Sequence, residues 1–499
     1  MITKLVVLGI YFAILFLIGI VASKRIKGLS DFYVGGKKLG YWAIAFSARA
    51  TGESGWLLLG VTAMGALAGF SAYWVVVGEL LGVTFSWFFM AKKFKRLSDK
   101  YDSITIPDFL DSHFKASSNT LRIIAATALS IFVIIYVSAQ IDVTGKAFES
   151  FLEIDYYTGA IAGFLIVLAY IFTGGFVAVV WSDFFQGLLM FLGLVALPIV
   201  AYWSIDNGAD IIGGLQRIDP DLTSIFGGGE DSWMKIFTML GFAMIGLGFL
   251  GSPQIYVRFM SIKSEAEINK GRWVAVVFTL LTDAAAVTIG ILARYLFTEA
   301  GQDPETILGS DGEDSLITLI ESVFPLTIIA IYIAIILSAI MSTIDSLLIL
   351  ASSAVTRDFY QKIFRPNLDE SKMSRISRMV TLGMALFALA IAIIVALVAP
   401  GRTVFWFVIF GWSGIAATFC PVIILSLFWK AYSEQGAIAS MVTGFCLVPI
   451  FKFVVQKMDG IGPYFEKLDV LAPSFLLAMI AGWLFTKMYP RKEAVSNEN

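Results

Sequence analysis

Charge is what this sequence has least of. Only 15% of its 499 residues are Asp, Glu, Lys or Arg, against 58% hydrophobic, and the mean hydropathy is +0.82. That balance excludes a soluble globular protein and describes a polytopic helical membrane protein. The single histidine, His113, lies in a charged loop, which leaves no histidine metal site or relay. The two cysteines, Cys420 and Cys446, both fall in apolar segments and read as small core residues, not as a disulfide or metal pair. There is no P-loop, hence no direct drive by ATP, and no Cys/His metal set that would point to an enzyme. A basic face with interleaved aromatics, the signature of nucleic-acid binding, is also missing. No soluble domain, low-complexity tract or linker longer than a loop interrupts the pattern. The first residues run into an apolar stretch without a small-residue cleavage pattern, which reads as a retained span.

What is present is a series of apolar segments. They run approximately over 5–21, 42–67, 73–90, 121–141, 159–171, 183–201, 234–257, 274–297, 326–354, 380–398, 404–428, 437–453 and 470–485. This predicts about thirteen transmembrane helices, the one from Gly159 being short by hydropathy. The loop charges alternate with them. Lys24, Arg25, Lys27, Lys37 and Lys38 follow the first span, and Lys92, Lys93, Lys95, Arg96 and Lys100 the third. Arg258, Lys263, Lys270 and Arg272 follow the seventh; Arg357, Lys362, Arg365, Lys372, Arg375 and Arg378 follow the ninth. The loops after the sixth and eighth are acidic, with Asp206, Asp210, Asp219, Asp221, Glu230 and Asp231, then Glu299, Asp303, Glu305, Asp311, Glu313 and Asp314. The positive-inside bias predicts an outer N-terminus and a cytoplasmic C-terminus in a cell (plasma or inner) membrane, with 491–499 as a short polar tail.

Two spans are broken. The second carries Ser47-Ala48-Arg49-Ala50-Thr51-Gly52-Glu53-Ser54-Gly55-Trp56, although a charge at bilayer depth costs at least ~2.5 kcal/mol. Arg49 and Glu53, four apart, could simply pair as helix-packing glue. The seventh span breaks at Gly246–Pro253, five spans later. Broken helices at matching positions of opposed halves mark the binding site of a transporter, because unwound carbonyls can hold a cation or a polar solute.

Other polar residues sit at helical spacing inside apolar spans. Ala339, Ser342, Thr343 and Ser346 share neighbouring parts of one face in the ninth, with Asp345 beside them. Hydroxyls there either bond back to the preceding turn or serve a cation, and a buried carboxylate needs a partner. Asp183, after Thr173-Gly174-Gly175, reads equally as a helix N-terminal charge or as part of an ion path. Glu79 is a solute candidate or a partner of Arg49. Tyr136 and Gln140 could line a pocket or hydrogen-bond between helices, and Phe249 and Trp412 fit packing as well as a pocket.

Taken together, several motifs resemble the sodium:solute symporters, and most closely their bacterial sodium/proline branch. They are Gly35-Gly36 with Gly52–Trp56; Gly174-Gly175-Phe176 through Trp181-Ser182-Asp183-Phe184-Phe185-Gln186; and Gly251-Ser252-Pro253-Gln254 with Arg258-Phe259-Met260. Ala339–Ser346 and Gly411-Trp412-Ser413-Gly414 with Pro421 complete the set. The likeness spans roughly Ser30 to Phe485. It implies a leucine-transporter-type core of two inverted five-helix repeats, 42–201 and 234–428, with one helix before (5–21) and two after (437–485), all in a single transporter domain over 1–490.

The resemblance further implies alternating access with Na+ as coupling ion. The family's common sodium site would fall on the backbone oxygens of Ala50 and Glu53 with Ala339, Ser342 and Thr343. A second, found in some members, would use Asp183, Ser342, Asp345 and Ser346, although many members have an uncharged residue at Asp345. Proline-binding members place pocket groups at positions matching Ser54, Gly55, Trp56, Tyr136, Phe249 and Pro253, and Glu79 and Gln140 join the candidate substrate set. Departures bear on the solute: a carboxylate expected at Gly52 appears at Glu53, an aromatic expected one turn before Phe249 is Ile245, Phe249 replaces a tyrosine, and Arg49 replaces a small residue.

The expectation is therefore sodium-coupled uptake of a small polar organic solute, proline or a related amino acid first. A sugar, sialic acid or a monocarboxylate are the same-class alternatives, and a proton-coupled carrier using Glu53, Glu79 or Asp345 is another. A receptor or channel on the same scaffold is the rival of a different class. The partners expected are the solute, sodium and the bilayer, with no nucleic acid and no obligatory protein partner.

Overall fold

The computed structural model describes residues 2–25, 28–116, 118–205, 209–228, 231–365 and 370–491. Lys27, Asp206, Glu230 and the tail from 492 lie outside the described residues, as do the side chains of Thr173, Gly174 and Lys372. The fold is all-helical, because a backbone at bilayer depth must satisfy its own hydrogen bonds. The long elements are α1 (Ile2–Ser23), α2 (Tyr41–Trp56), α3 (Tyr73–Phe85), α4 (Thr120–Leu152), α5 (Tyr156–Trp203), α6 (Ser232–Met244) and α7 (Pro253–Ser261). They continue as α8 (Glu265–Phe297), α9 (Leu326–Ser353), α10 (Glu370–Val398), α11 (Val404–Phe428), α12 (Glu434–Phe453) and α13 (Leu471–Met488).

Among the described residues, eleven helical stretches are long and apolar enough to cross a membrane. One of these, Tyr41–Lys100, is 60 residues long, or roughly 90 Å if straight, three times the hydrocarbon thickness. It is not straight: Arg49 and Glu79 lie 3.5 Å apart, so the chain doubles back at Gly69–Ala72, where Gly69 takes φ +58°. The α5 helix doubles back too, at Gly175 (φ +54°). Its first arm packs Gly159 and Gly163 against Phe148 and Thr144 of α4, and its second returns along α1, where Gln186 Nε2 donates to the Tyr11 hydroxyl at 2.8 Å. The short arm Tyr156–Ala169 is apolar but falls below spanning length on its own. With both returns counted, the polypeptide follows the pattern of segments expected from hydropathy.

The loops sort to two ends of the bundle. At one, Lys37 pairs with Asp99 at 3.5 Å, Arg96 with Glu265 at 2.9 Å, and Leu39 bridges to Ile262. At the other, Lys146 meets Glu313 at 2.7 Å and Tyr464 donates to Asp231 at 2.7 Å. Close helix contact depends on small residues: a Cβ on Gly82 of α3 would lie 2.1 Å from the Gly246 carbonyl oxygen.

Three local expectations need correction. His113 is not in an open loop but buried on a short helix, Ile106–Phe114. Cys420 is in the core, whereas Cys446 is exposed on α12, since a lipid-facing side needs only an apolar surface. Asp183 lies two turns beyond the break at Gly175, too deep in the helix for a helix N-terminal charge.

Candidate functional site

The two broken helices meet near the middle of the fold. In α2 the break is Ser54, with φ 51° and ψ −173°, a backbone conformation that a residue bearing a Cβ rarely holds. Two groups hold it there: the Gly55 N–H donates to Gln140 Oε1 at 3.1 Å, and the Trp56 N–H to Ser54 Oγ at 3.2 Å. The other break follows α6, where Ile245–Leu250 tightens to a 3₁₀ turn before Pro253 opens α7. Proline costs nothing there, because a first-turn N–H has no helical partner.

Oxygens from α2 and α9 converge beside the α2 break. The Ser342 hydroxyl lies 3.1 Å from the carbonyls of both Ala50 and Ala339. The Thr343 hydroxyl lies 3.3 Å from the Thr51 carbonyl and 3.1 Å from that of Ala339. Back-bonding within the helix and contact across helices thus occur together, and α9 needs no bend, its helix running unbroken from Leu326 to Ser353. The carbonyls of Ala50, Thr51 and Ala339 and the two hydroxyls form a donor set suited to a hard monovalent cation. The Glu53 carbonyl accepts the Leu57 N–H.

Aromatic side chains form the neighbouring wall. Phe249 lies 5.1 Å from Trp412, ring centre to ring centre, and Tyr136 lies 6.5 Å from the same indole. Trp56 leans away toward Phe405 at 5.8 Å. Gln140 is wholly buried, and its Nε2 has no hydrogen-bond partner among the described residues. The Gly55 N–H fixes the amide with its oxygen inward to the backbone, leaving the NH₂ as a spare donor.

Two charged groups of residues flank these sites. On one side Arg49 pairs with Glu53 and lies 3.5 Å from Glu79, its guanidinium 4.6 Å from the Phe249 ring centre. Asp283 of α8 joins them: single carboxylate oxygens of Glu53, Glu79 and Asp283 all lie within 4.8 Å of one another. Glu79 thus lies within the cluster around Arg49. On the other side, Ser47 donates to Asp183 Oδ2 at 2.6 Å, Thr51 and Ser346 hydroxyls are 2.9 Å apart, and Arg258 of α7 reaches Asp183 at 2.9 Å. Sequence reading missed Asp283 and gave Arg258 no function. The signal for Asp283 was available as a lone carboxylate inside an apolar span. For Arg258 it was weaker, since the residue reads as a helix-end cytoplasmic charge.

This arrangement has close relatives. The family model for the sodium:solute symporter family matches residues 32–444. The chain belongs to the sodium:solute symporter family. Its members similar to this chain include the high-affinity proline transporter PutP of Bacillus subtilis (strain 168), 35% identical over 473 residues, covering 92% of this chain and 96% of the relative. The osmoregulated proline transporter OpuE of the same organism is 33% identical, covering 98% and 95%. A sodium/proline symporter of Staphylococcus aureus is 31% identical, covering 97% and 92%. Among solved structures, a Na+-coupled sialic acid symporter in a substrate-bound outward-open state matches with a TM-score of 0.78 at 19% identity, over 98% of both chains. The nucleobase-cation-symport-1 transporter Mhp1, closed around bromovinylhydantoin, matches with 0.53 at 12% identity, over 93% and 96%. These two show a shared fold. This symporter is thus a multi-pass membrane transporter and not an enzyme; it couples the movement of a solute to Na+.

Proposed function

We propose that this symporter carries proline or a closely related amino acid inward with sodium. The observation that carries the reading is Gln140: one end of its amide holds the broken backbone of α2 at Gly55, and the other leaves a buried donor unsatisfied. A solute carboxylate supplies the missing acceptor, and the Phe249, Trp412 and Tyr136 rings supply an apolar wall for a small aliphatic ring. Being left unpaired costs such a donor ~1–3 kcal/mol, so a solute lacking the acceptor is discriminated against. The named relatives that transport proline support the same choice. Sugars, sialic acid and monocarboxylates are the competing solutes for a substrate panel.

Sodium is proposed to sit among the carbonyls of Ala50 and Ala339 and the hydroxyls of Ser342 and Thr343. An ion there bridges α2 to α9. It favours the conformation in which the two are held together, because a ligand shifts an equilibrium only through its difference in affinity for the two states. The loop charges argue for an outer N-terminus and a cytoplasmic C-terminus. Sodium then enters down its gradient, with ~2.3 kcal/mol added per charge per 100 mV, and leaves where it is scarce. The halves 42–201 and 234–428 are proposed as the two inverted repeats that rock about this site.

Radiolabelled proline uptake into proteoliposomes under an inward sodium gradient tests the reading. Accumulation is expected to require sodium, to fail with potassium, and to fall at least tenfold in Ser342→Ala, whose lost hydroxyl is a sodium ligand. Uptake driven by a pH gradient and indifferent to sodium would instead point to the buried carboxylates.

A further inference from the structure

The three aromatic residues proposed to wall the solute are each seated against a glycine from another element. A Cβ on Gly411 of α11 would lie 2.8 Å from Tyr136 Cβ and 2.9 Å from its Cα. One on Gly248, in the 3₁₀ turn, would lie 2.2 Å from Trp412 Cζ2. One on Gly52 of α2 would lie 2.8 Å from Cε1 of the Phe249 ring and 3.4 Å from its Cζ. The backbone of Gly52 does not call for glycine, since the departure from helical angles in α2 is at Ser54. Alanine is the better helix former at such a position. What the glycine contributes is room.

The three seats differ in what an added methyl would strike. At Gly411 it would strike the Tyr136 backbone. At Gly248 it would strike the pyrrole side of an indole whose Nε1 donates to the Ile245 carbonyl at 3.3 Å. Neither neighbour can yield. At Gly52 it would strike only the outer edge of a phenyl ring, which is free to turn about its side-chain bonds. The ring has little room to retreat: the Arg49 guanidinium lies 4.6 Å from its centre, and the space it shares with Ala48, Val83, Ser86, Trp87 and Ile255 is too small for a water molecule. A ring pushed off Gly52 therefore moves toward Trp412, 5.1 Å away between ring centres, and narrows the space between the aromatic side chains.

We propose that Gly52 is a specificity-determining residue: by carrying no side chain it lets Phe249 lie back against α2, and the room so left sets the largest solute accepted, an amino acid with a ring of proline's size. Gly52 acts as a positioning residue for Phe249 and makes no contact with the solute itself. The proposal rests on the reading of Phe249, Trp412 and Tyr136 as the wall of the solute site.

Competition against sodium-driven uptake of radiolabelled proline into proteoliposomes tests it, with alanine as the smaller competitor and pipecolic acid, one ring methylene larger than proline, as the larger. Gly52→Ala is expected to raise the KM for proline about tenfold. It should weaken pipecolic acid more than proline and proline more than alanine, while the rise in Tm on adding sodium stays as in the wild type. Phe249→Leu alone should shift the order toward pipecolic acid, and added to Gly52→Ala it should restore most of the affinity for proline. An unchanged order of the three competitors in folded Gly52→Ala overturns the proposal, as does a loss that Phe249→Leu leaves uncorrected. Should Gly52→Ala fail to fold, Phe249→Leu decides alone, and an unchanged order there overturns the proposal. A wild type that takes up no proline overturns the choice of solute instead. The seat is then read from Tm: the double variant should be more stable than Gly52→Ala, and simple additivity of the two losses overturns it.

Discussion

Arg49 and Arg258 are both enclosed in the bundle, yet their surroundings are built on different terms. Arg258 has oxygens from α2, α5, α7 and α9 at hydrogen-bonding distance. Arg49 faces three carboxylates and satisfies few of them. Its Nε, one oxygen of Asp283 and both oxygens of Glu53 make no hydrogen bond among the described residues, though Glu53 is paired with the arginine by charge. In one region the arginine is saturated with hydrogen bonds, although Asp183 Oδ1 makes none among the described residues; in the other, three carboxylates face one arginine next to Phe249. Saturated buried charge fixes a geometry. Unsaturated buried charge is available to respond to a ligand.

Breaking the saturated region should have the larger effect. Asp183→Ala leaves the Arg258 guanidinium buried without its counter-charge, and a loss of about 3–5 kcal/mol is expected, read as a large drop in Tm in detergent together with lost uptake. A drop no greater than that of a surface alanine would show that Arg258 does not depend on Asp183.

A buried ionisable group outside the membrane provides a reference for that scale. Burial, reinforced by nearby Arg491, pushes the His113 imidazole down from its ordinary 6.5 to about 4. The unfolded chain therefore takes up a proton at higher pH than the folded one. The stability that the neutral ring contributes is complete above pH 6.5 and is lost as the pH falls toward 4. The expected loss is about 1–2 kcal/mol by pH ~5, measured as a fall in Tm that His113→Asn should flatten. An identical pH profile in that variant would remove His113 from the account.

The smallest effect is expected in the unsaturated region. Asp283→Asn removes one of three carboxylates facing a single arginine, so Tm should be unchanged or rise slightly. A fall as large as that of Asp183→Ala would mean that the cluster holds a further cation, and the contrast between the two regions would collapse.

Much of this was legible in the linear chain because membrane helices advertise themselves. The apolar segments, the alternating loop charges and the breaks at Ser54 and Gly246–Pro253 follow from local composition. So does the face of Ser342, Thr343 and Ser346, which depends only on helical spacing. The partners of these groups were not legible. Glu79 and Asp283 are 204 positions apart by their numbering, and nothing in either span says that both turn toward Arg49.

The sequence by itself determined the membrane class, the family, the broken helices and the oxygen-rich face of α9, since each is a property of residues within a few turns of one another. Only the tertiary structure decided that Arg258, a helix-end charge by its position, reaches Asp183, Thr51 and Ser346, and that Gln140 holds Gly55 with half of its amide. Those contacts are set by how five helices cross. In a low-dielectric interior such contacts determine which buried charges are balanced, and so which ions have a place.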